Sequence, residues 1–258
     1  MEVNNTCHLS EIYSAIQGEG PLVGTRQLFV RFSACDLRCV WCDTPGSLVR
    51  TKFCEVESSA GSRSFKKIQN PIESNKLISY IRKFSPKLHH SISLTGGEPL
   101  LQHKFLLSFL PMVKKEFSLP IYLEAGGHRV DELKTIIKFL DYVSMDFKLP
   151  SSAKAGNLWD KHKEFLSLSL SSKKLQNVWI KIVLTNDTCF EELLNSVNLI
   201  KSIDRNNKKP EIFLQPVTQI NGSKPPGSQD LLNIQFKLLK HYSNIRVLPQ
   251  VHKFMEQK

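Results

Sequence analysis

Short runs of apolar, β-branched and aromatic residues alternate along this chain with longer segments in which the apolar residues have helical spacing. After residue 75 the alternation is regular, and each short run predicts a strand that leads into a helix. Such repeats indicate parallel strands joined by right-handed crossovers. The predicted strands are 27–32, 91–95, 120–125, 142–147, 178–184, 211–217 and 245–250, and the predicted helices are 74–84, 102–117, 130–140, 157–169, 188–203 and 228–241.

About six such units predict an α/β fold in which the strands form a complete or partial barrel. A doubly wound open sheet would produce the same alternation, so the pattern alone leaves both architectures open. In either architecture, ligands bind at the carboxyl ends of the parallel strands. We expect one rim to carry the functional residues, because polar or glycine-rich segments follow the predicted strands there: "SACDLRC", "TGGEP", "EAGG", "DFKLPSS", "TND" and "QPVTQ".

Residues 46–75 interrupt this rhythm. The segment is polar and contains Gly61 and several serines. A stretch of this length and composition is typical of an inserted loop, a lid or a mobile segment. We therefore predict a single domain over residues 1–258 that carries this insertion.

The composition is that of an ordinary globular protein, since 41% of the 258 residues are hydrophobic and 23% are charged. No apolar run approaches the roughly 18 residues of a membrane span, and the first residues show no secretion signal, so we expect a cytoplasmic protein. The formal net charge of +11 attracts phosphates and nucleic acids. The lysines are dispersed, however, and no arginine-rich arm or aromatic platform is present, so direct nucleic-acid binding is not expected.

Three of the six cysteines lie in the short segment "CDLRCVWC". Clustered cysteines in the cytoplasm are typical of metal or redox sites rather than of disulfides. A structural zinc site commonly has four ligands in two pairs, and the sequence has no second pair. Three thiolates suit a 4Fe–4S cluster with one open iron, which takes an outside ligand. A zinc or RNA-binding module that uses the cysteines structurally is the alternative from a different class.

The spacing Cys35-x3-Cys39-x2-Cys42, with Trp41 before the last cysteine, resembles the signature of the radical S-adenosylmethionine enzymes. The segment "SLTGGEPLLQ" resembles their glycine-rich segment, where glycines let the backbone approach the cofactor. Within that superfamily the chain resembles the 7-carboxy-7-deazaguanine synthase family, through "YSAIQGEGPLVGTRQLFVRFSACDLRCVWCDT", "DFKLPSS", "LQPV" and "VLPQVHKFM". The resemblance covers nearly the whole chain except residues 46–75, to which nothing is carried over.

The resemblance implies a partial, truncated TIM-like βα barrel of the radical S-adenosylmethionine type. It also implies a 4Fe–4S cluster, S-adenosylmethionine and Mg²⁺ as cofactors. The implied reaction is a lyase step that converts 6-carboxy-5,6,7,8-tetrahydropterin to 7-carboxy-7-deazaguanine and ammonia, on the route to queuosine in tRNA. Family members are generally homodimers, and the basic net charge favours an acidic electron donor such as a flavodoxin.

The resemblance further assigns roles to single residues. The cluster ligands, which we take as catalytic, are Cys35, Cys39 and Cys42, since thiolates are the ligands that such irons require. The hydroxyl of Thr44 is the expected Mg²⁺ ligand, and the expected S-adenosylmethionine contacts are Trp41, Cys42, Asp43, Gly97, Glu98, Glu124, Asp146, Phe147, Lys148 and Gln215. The expected substrate contacts are Ile16, Gln17, Gly18, Arg31, Thr95 and His252.

Simpler interpretations stay open for several of these residues. Gln17 lies in a glycine turn, Thr44 precedes a proline, and Arg31 could form a salt bridge. Asp146 and Lys148 could simply pair with each other. A glycyl-radical activase would share the cysteines and the GGE segment but would act on a large protein. The "IQGEG" loop, Thr44 and the "LPQVHK" segment favour the pterin enzyme.

Overall fold

The computed structural model describes residues 4–203 and 209–258, and most of its strands form one sheet of ten. None of the helices in these ranges combines the length and the hydrophobicity that crossing a membrane requires. The strands are β1 (Thr6–Cys7), β2 (Leu9–Ile16), β3 (Arg26–Phe32), β4 (Phe53–Glu57), β5 (Phe65–Gln69), β6 (Ile72–Glu73), β7 (Ser91–Gly96), β8 (Ile121–Ala125), β9 (Tyr142–Asp146), β10 (Asn177–Leu184), β11 (Glu211–Pro216) and β12 (Ile245–Val247). The helices are α1 (Ser74–Lys83), α2 (His103–Phe117), α3 (Val130–Ile136), α4 (Pro150–Ala153), α5 (Trp159–Ser171), α6 (Phe190–Ile203), α7 (Ser228–Leu239) and α8 (Val251–Phe254).

The large sheet has the strand order β12–β11–β10–β9–β8–β7–β3–β2–β4–β5. From β3 to β12 all neighbouring strands are parallel, whereas β2 runs antiparallel to β3. The order of the parallel strands follows the chain without reversal, which is the arrangement of a barrel wall rather than of a doubly wound sheet. Because β12 and β5 each have a neighbour on one side only within the described residues, the barrel is partial. The predicted fold class is confirmed.

The elements after residue 75 follow the hydrophobic pattern closely. Two element ends differ, since α3 gives way to a 3₁₀ helix at Ile137–Phe139 and β12 ends at Val247, and the short helices α4 and α8 lie outside the predicted helices. The pattern does not predict β2, because the polar residues Ser10, Glu11 and Ser14 interrupt its apolar run.

The segment 46–75 departs from the expected loop. Strands β4 and β5 form an antiparallel hairpin that extends the sheet beyond β2, and β6 pairs with β1. Cys54 and Val56 of β4 are buried, whereas β5 lies at the sheet edge and exposes Lys66 and Lys67. Lysines protect an edge strand from pairing with other chains, and they also give its sequence the polarity of a loop. A hairpin thus takes the place of the expected loop, and the single domain over residues 1–258 stays a prediction.

The parallel strands present two different faces, because successive side chains point to opposite sides of a sheet. The outer face is apolar: Leu28, Val30, Ile92 and Leu94 are fully buried and belong to the same core as Phe105 of α2. The inner face has an aromatic floor and, toward the carboxyl ends, a polar wall. The floor consists of Tyr122, Trp179 and Phe213, and the wall consists of Arg31, Thr95, Glu124, Ser144, Asp146, Lys181 and Gln215.

We predict that Asn70 fixes the hairpin segment to the sheet. Its amide nitrogen donates to Leu9 O at 2.8 Å and to Thr51 O at 3.0 Å, and its oxygen accepts from Leu9 N at 3.2 Å. Asn70→Ala should lower the free energy of unfolding by about 2 kcal/mol, because buried backbone groups lose their partners. Urea unfolding measures this change, and Gln69→Ala, at an exposed neighbour, is the control. Equal stability of the two variants would contradict the prediction.

Candidate active site

The carboxyl ends of the parallel strands surround a cavity of about 350 Å³. Every residue predicted to bind the cluster, a cofactor or the substrate lines this cavity, except Phe147. The ring of Phe147 is buried in the core, with its centroid 4.2 Å from that of His162 and 5.3 Å from that of Trp159. Only the backbone of Phe147 therefore remains available for a ligand.

The three clustered cysteines lie on the loop that follows β3. All three are free and half-buried, and they face the cavity. The loop is held in place by hydrogen bonds from Cys35 N to Leu48 O and from Val40 N to Ala153 O, both 3.2 Å long. Burial raises the pKa of Cys35 to about 11 and also raises the pKa of Cys39, so these thiolates need a positive partner such as a metal ion. This donor set fits a 4Fe–4S cluster.

The glycine-rich segment packs directly against the cysteine loop. Gly97 N donates to Phe32 O, and Glu98 N donates to Ala34 O, each at 2.9 Å. A Cβ atom on Gly97 would lie 2.1 Å from Ala34 O and 2.6 Å from Ser47 O, so only glycine fits this approach. The close contact lets the backbone of Gly97 reach the cavity beside the cysteines.

Both oxygens of the Glu98 carboxylate accept hydrogen bonds from the backbone. One oxygen accepts from Gly126 N at 2.8 Å and the other from Leu100 N at 3.1 Å. These bonds join the end of β7 to the end of β8. Through these bonds Glu98 holds the loops after β7 and β8 together. Its contact with a cofactor stays a prediction.

The middle of the cavity wall has charged groups suited to a polar cofactor. Lys148 Nζ lies 2.8 Å from Asp146 Oδ2 and 4.2 Å from the centre of the Trp41 ring. Burial alone would raise the pKa of Asp146, but Lys148 and Lys181 lower it below its ordinary value. The second oxygen, Oδ1, is buried and has no hydrogen-bond partner among residues 4–203 and 209–258. An ionised carboxylate with a free acceptor fits an ammonium or hydroxyl group of S-adenosylmethionine.

Gln17 and Glu124 form a buried hydrogen-bond network in the cavity wall. Gln17 Nε2 donates to Glu124 Oε1 at 3.0 Å, and Thr95 Oγ1 donates to Glu124 Oε2 at 3.0 Å. Burial and the nearby charge of Glu19 raise the pKa of Glu124. Gly18 lies against His252, since a Cβ on Gly18 would be 2.3 Å from His252 N.

Glu19 is a site residue that sequence reasoning missed. Lys181 Nζ lies 2.7 Å from Oε2, while Gln215 and Gln250 donate to Oε1 at 3.1 and 2.9 Å. Burial alone would raise the pKa of Glu19, but Lys181 and the other partners lower it to about 2. Glu19 and Glu124 thus face one cavity with their pKa values shifted in opposite directions.

The sequence did contain a signal for these residues. Lys181 is the one charged residue in "VWIKIVL", and a lysine on a buried strand needs a partner. Glu19 lies between the two glycines of "GEG", and Gln250 lies in "LPQVHK".

Arg31 lies on β3 and is paired within the protein. Its Nε donates to Glu11 Oε2 at 2.7 Å, and its terminal nitrogen donates to the hydroxyl of Tyr13. The geometry therefore agrees with the simpler interpretation of Arg31 as a salt-bridge residue. Binding of a substrate carboxylate stays a prediction, and it requires the Arg31 guanidinium to bind that carboxylate and Glu11 at the same time.

A divalent cation would find oxygen and nitrogen donors beside the cysteine loop. Ligand atoms of Glu19, Asp43 and His252 all lie within 4.8 Å of one another. The hydroxyl of Thr44, the predicted ligand, lies 3.9 Å from Cys42 Sγ and also lines the cavity. Oxygen donors of this kind fit Mg²⁺.

Known proteins are similar to this chain in sequence and in fold. The family described as a 4Fe-4S single cluster domain matches residues 16–178. The 7-carboxy-7-deazaguanine synthase of Geobacter sulfurreducens is 34% identical over 252 residues and is aligned over 97% of its length and 96% of this chain. The enzyme of the same name from Archaeoglobus fulgidus is 33% identical over 250 residues, with the same coverage of 97% and 96%. The crystal structure of QueE from Escherichia coli has a similar fold, with a TM-score of 0.62 and 19% identity over 96% of this chain and 95% of that chain.

The partial barrel, the three-cysteine loop and the matching family define a 4Fe–4S protein of the radical S-adenosylmethionine class. Within that class, the similarity to the two 7-carboxy-7-deazaguanine synthases extends along almost the entire length of this chain. The chain belongs to the 7-carboxy-7-deazaguanine synthase family.

We predict that cluster loading depends on the close contact at Gly97. Gly97→Ala should force the backbone atoms of Ala34 and Ser47 apart, destabilise the protein by about 1–3 kcal/mol and reduce the iron held per chain. Iron analysis after anaerobic reconstitution measures the effect. Gly46→Ala is the matched control, because a Cβ there meets nothing within 4 Å. If both variants bind as much iron as the parent protein, the contact has no such role.

Proposed function

We propose that this protein is a 7-carboxy-7-deazaguanine synthase, which converts 6-carboxy-5,6,7,8-tetrahydropterin to 7-carboxy-7-deazaguanine with loss of ammonia, on the route to queuosine and related 7-deazapurines. The observation that carries the proposal is one cavity lined both by the three free cysteines and by the residues predicted to contact the pterin. Family membership over nearly the whole length supports the same activity.

The cysteine end of the cavity is the cofactor end of the proposed site. Cys35, Cys39 and Cys42 would hold a 4Fe–4S cluster. When bound, the cluster and S-adenosylmethionine would supply the radical chemistry that the reaction requires at carbon 6 of the substrate. Gly97 lets the backbone reach the cofactor, and Asp146 Oδ1 offers it an ionised acceptor.

A second group of residues in the same cavity suits the pterin. The ionised carboxylate of Glu19 would accept N–H groups from the aminopyrimidine edge, and the Arg31 guanidinium would bind the substrate carboxylate. Glu124 is the group suited to hold a proton at neutral pH, because its pKa is raised while that of Glu19 is lowered. Thr95 and Gln17 orient Glu124 through their hydrogen bonds.

Four finer points belong to the same proposal. Thr44 and Asp43 would contribute oxygen donors to a Mg²⁺ site, because both line the cavity beside the cysteine loop. The six free cysteines suit the reducing cytoplasm. The basic net charge of +11 favours an acidic electron donor such as a flavodoxin, and the enzyme would act as a homodimer. Sedimentation of the holoenzyme and the salt dependence of its reduction test the last two points.

A glycyl-radical activase is the weaker candidate. An activase would need an open surface for a large protein, whereas the residues of interest here converge on a cavity of about 350 Å³, which is of small-molecule size. The full-length relatives are also named as synthases.

The direct test is turnover. The anaerobic holoenzyme with 6-carboxytetrahydropterin, S-adenosylmethionine, Mg²⁺ and a reductant should form 7-carboxy-7-deazaguanine, identified by mass spectrometry. A chelator should lower the rate, and added Mg²⁺ should restore it. Cleavage of S-adenosylmethionine without the deazaguanine product would overturn the substrate assignment, and a rate indifferent to the chelator would remove Mg²⁺ from it.

A second test addresses the cluster ligands. Cys39→Ala should abolish cleavage of S-adenosylmethionine and leave a soluble protein, because a cluster held by two thiolates is not retained. Cys189→Ala, at an exposed cysteine, should keep full activity. Both are measured as 5′-deoxyadenosine formed by reconstituted protein, and unchanged cleavage by Cys39→Ala would exclude Cys39 from the ligand set.

A further inference from the structure

Lys181 lies between two buried carboxylates that belong to different parts of the site. Its Nζ is 2.7 Å from Glu19 Oε2 and 3.2 Å from Asp146 Oδ2. The side chains are only 16%, 12% and 13% exposed for Lys181, Glu19 and Asp146. Ion pairs with this little exposure are screened far less by water than surface pairs.

The two carboxylates depend on Lys181 to different degrees. Asp146 has a second cationic partner, Lys148, at 2.8 Å, and its strand β9 is paired in register with β10 at Lys181. Glu19 instead lies on the loop after β2, where its other hydrogen-bond donors are the neutral amides of Gln215 and Gln250. Loss of the Lys181 charge would therefore act mainly on Glu19.

The surroundings of Glu19 make its orientation sensitive to that loss. Asp43 has a carboxylate oxygen within 4.8 Å of a Glu19 oxygen, and Gln250 Nε2 bridges the two groups, donating to Glu19 Oε1 at 2.9 Å and to Asp43 Oδ2 at 2.8 Å. Without Lys181, the repulsion between the Glu19 and Asp43 carboxylates would push the Glu19 carboxylate away from the wall. Lys181 thus supplies the attraction that holds this carboxylate in place within the cavity.

We propose that Lys181 is a positioning residue of the reaction, which holds the Glu19 carboxylate toward the substrate and ties the substrate loop to the cofactor-side residue Asp146. The inference deepens the proposed function and rests on it. Lys181 acts through Glu19 in the binding of the pterin, whereas the binding of S-adenosylmethionine keeps the support that Lys148 gives to Asp146.

A double-mutant cycle on the reconstituted holoenzyme tests the proposal. Lys181→Met should lower kcat/KM for the pterin on the order of 100-fold, because one partner of a buried charge pair is removed. The KM for S-adenosylmethionine should change little. Glu19→Gln should cause a similar loss, and adding Lys181→Met to Glu19→Gln should cost little more, because both changes remove the same interaction.

Two controls separate positioning from general stability. Lys181→Arg keeps the charge and should recover much of the activity, and Lys67→Met, on the exposed edge strand, should leave activity unchanged. Should Lys181→Met fail to fold, Lys181→Gln replaces it in the cycle, because an amide can still hydrogen-bond to both carboxylates.

Each outcome of the cycle has a definite meaning. Non-additive losses with rescue by arginine support the proposal. Additive losses, or near-normal pterin kinetics in the single Lys181 variant, would overturn the positioning role of Lys181. The proposed function would stand in that case, provided that the parent enzyme forms the product. Absence of the deazaguanine product from the parent enzyme would overturn the proposed function and this inference with it.

Discussion

The alternation of side chains along the parallel strands is the constraint on which the rest of the structure depends. Every second residue of β3 and β7 to β11 is apolar and packs under the helices, so the remaining residues must all face the concave side. On that side, aromatic rings close the lower part, and charged or amide side chains occupy the positions near the carboxyl ends. One geometric rule thus supplies both the hydrophobic core and the polar wall of the site, and a register slip of one residue would exchange them.

The polar wall is stable because its charges are paired. A buried carboxylate or ammonium without a partner would cost several kcal/mol. The wall contains a continuous row of alternating charges, formed by Glu19, Lys181, Asp146 and Lys148. The row ends where Lys148 lies over the ring of Trp41. This row of charges runs from Glu19 of the substrate loop to Trp41 of the cysteine loop, so the arrangement that satisfies the buried charges also connects the two loops.

Local patterns were enough to predict the parallel strands and the longer helices, and the family resemblance supplied the residues expected in the cavity. The patterns failed where tertiary context determines the outcome. The hairpin of β4 and β5 has a polar edge strand whose sequence resembles a loop, and the apolar run of β2 is broken by residues such as Glu11. Phe147 follows Asp146 directly and so points to the opposite side, into the core. The pairing of Glu19 with Lys181 emerges only when the loop after β2 and strand β10, far apart in sequence, are brought to one cavity.

The hairpin segment, for which the family resemblance gave no expectation, also bears on the site. Arg63 donates to Glu256 O at 2.6 Å, and Lys258 lies 3.6 Å from Glu55 and 4.0 Å from the centre of the Phe65 ring. These contacts hold the residues that follow α8 against the hairpin, and α8 carries His252 into the cavity. Because Val251 N donates to Gly18 O at 3.0 Å, the same C-terminal segment also supports the substrate loop. The hairpin segment can therefore affect the cavity through the C-terminal residues that it holds.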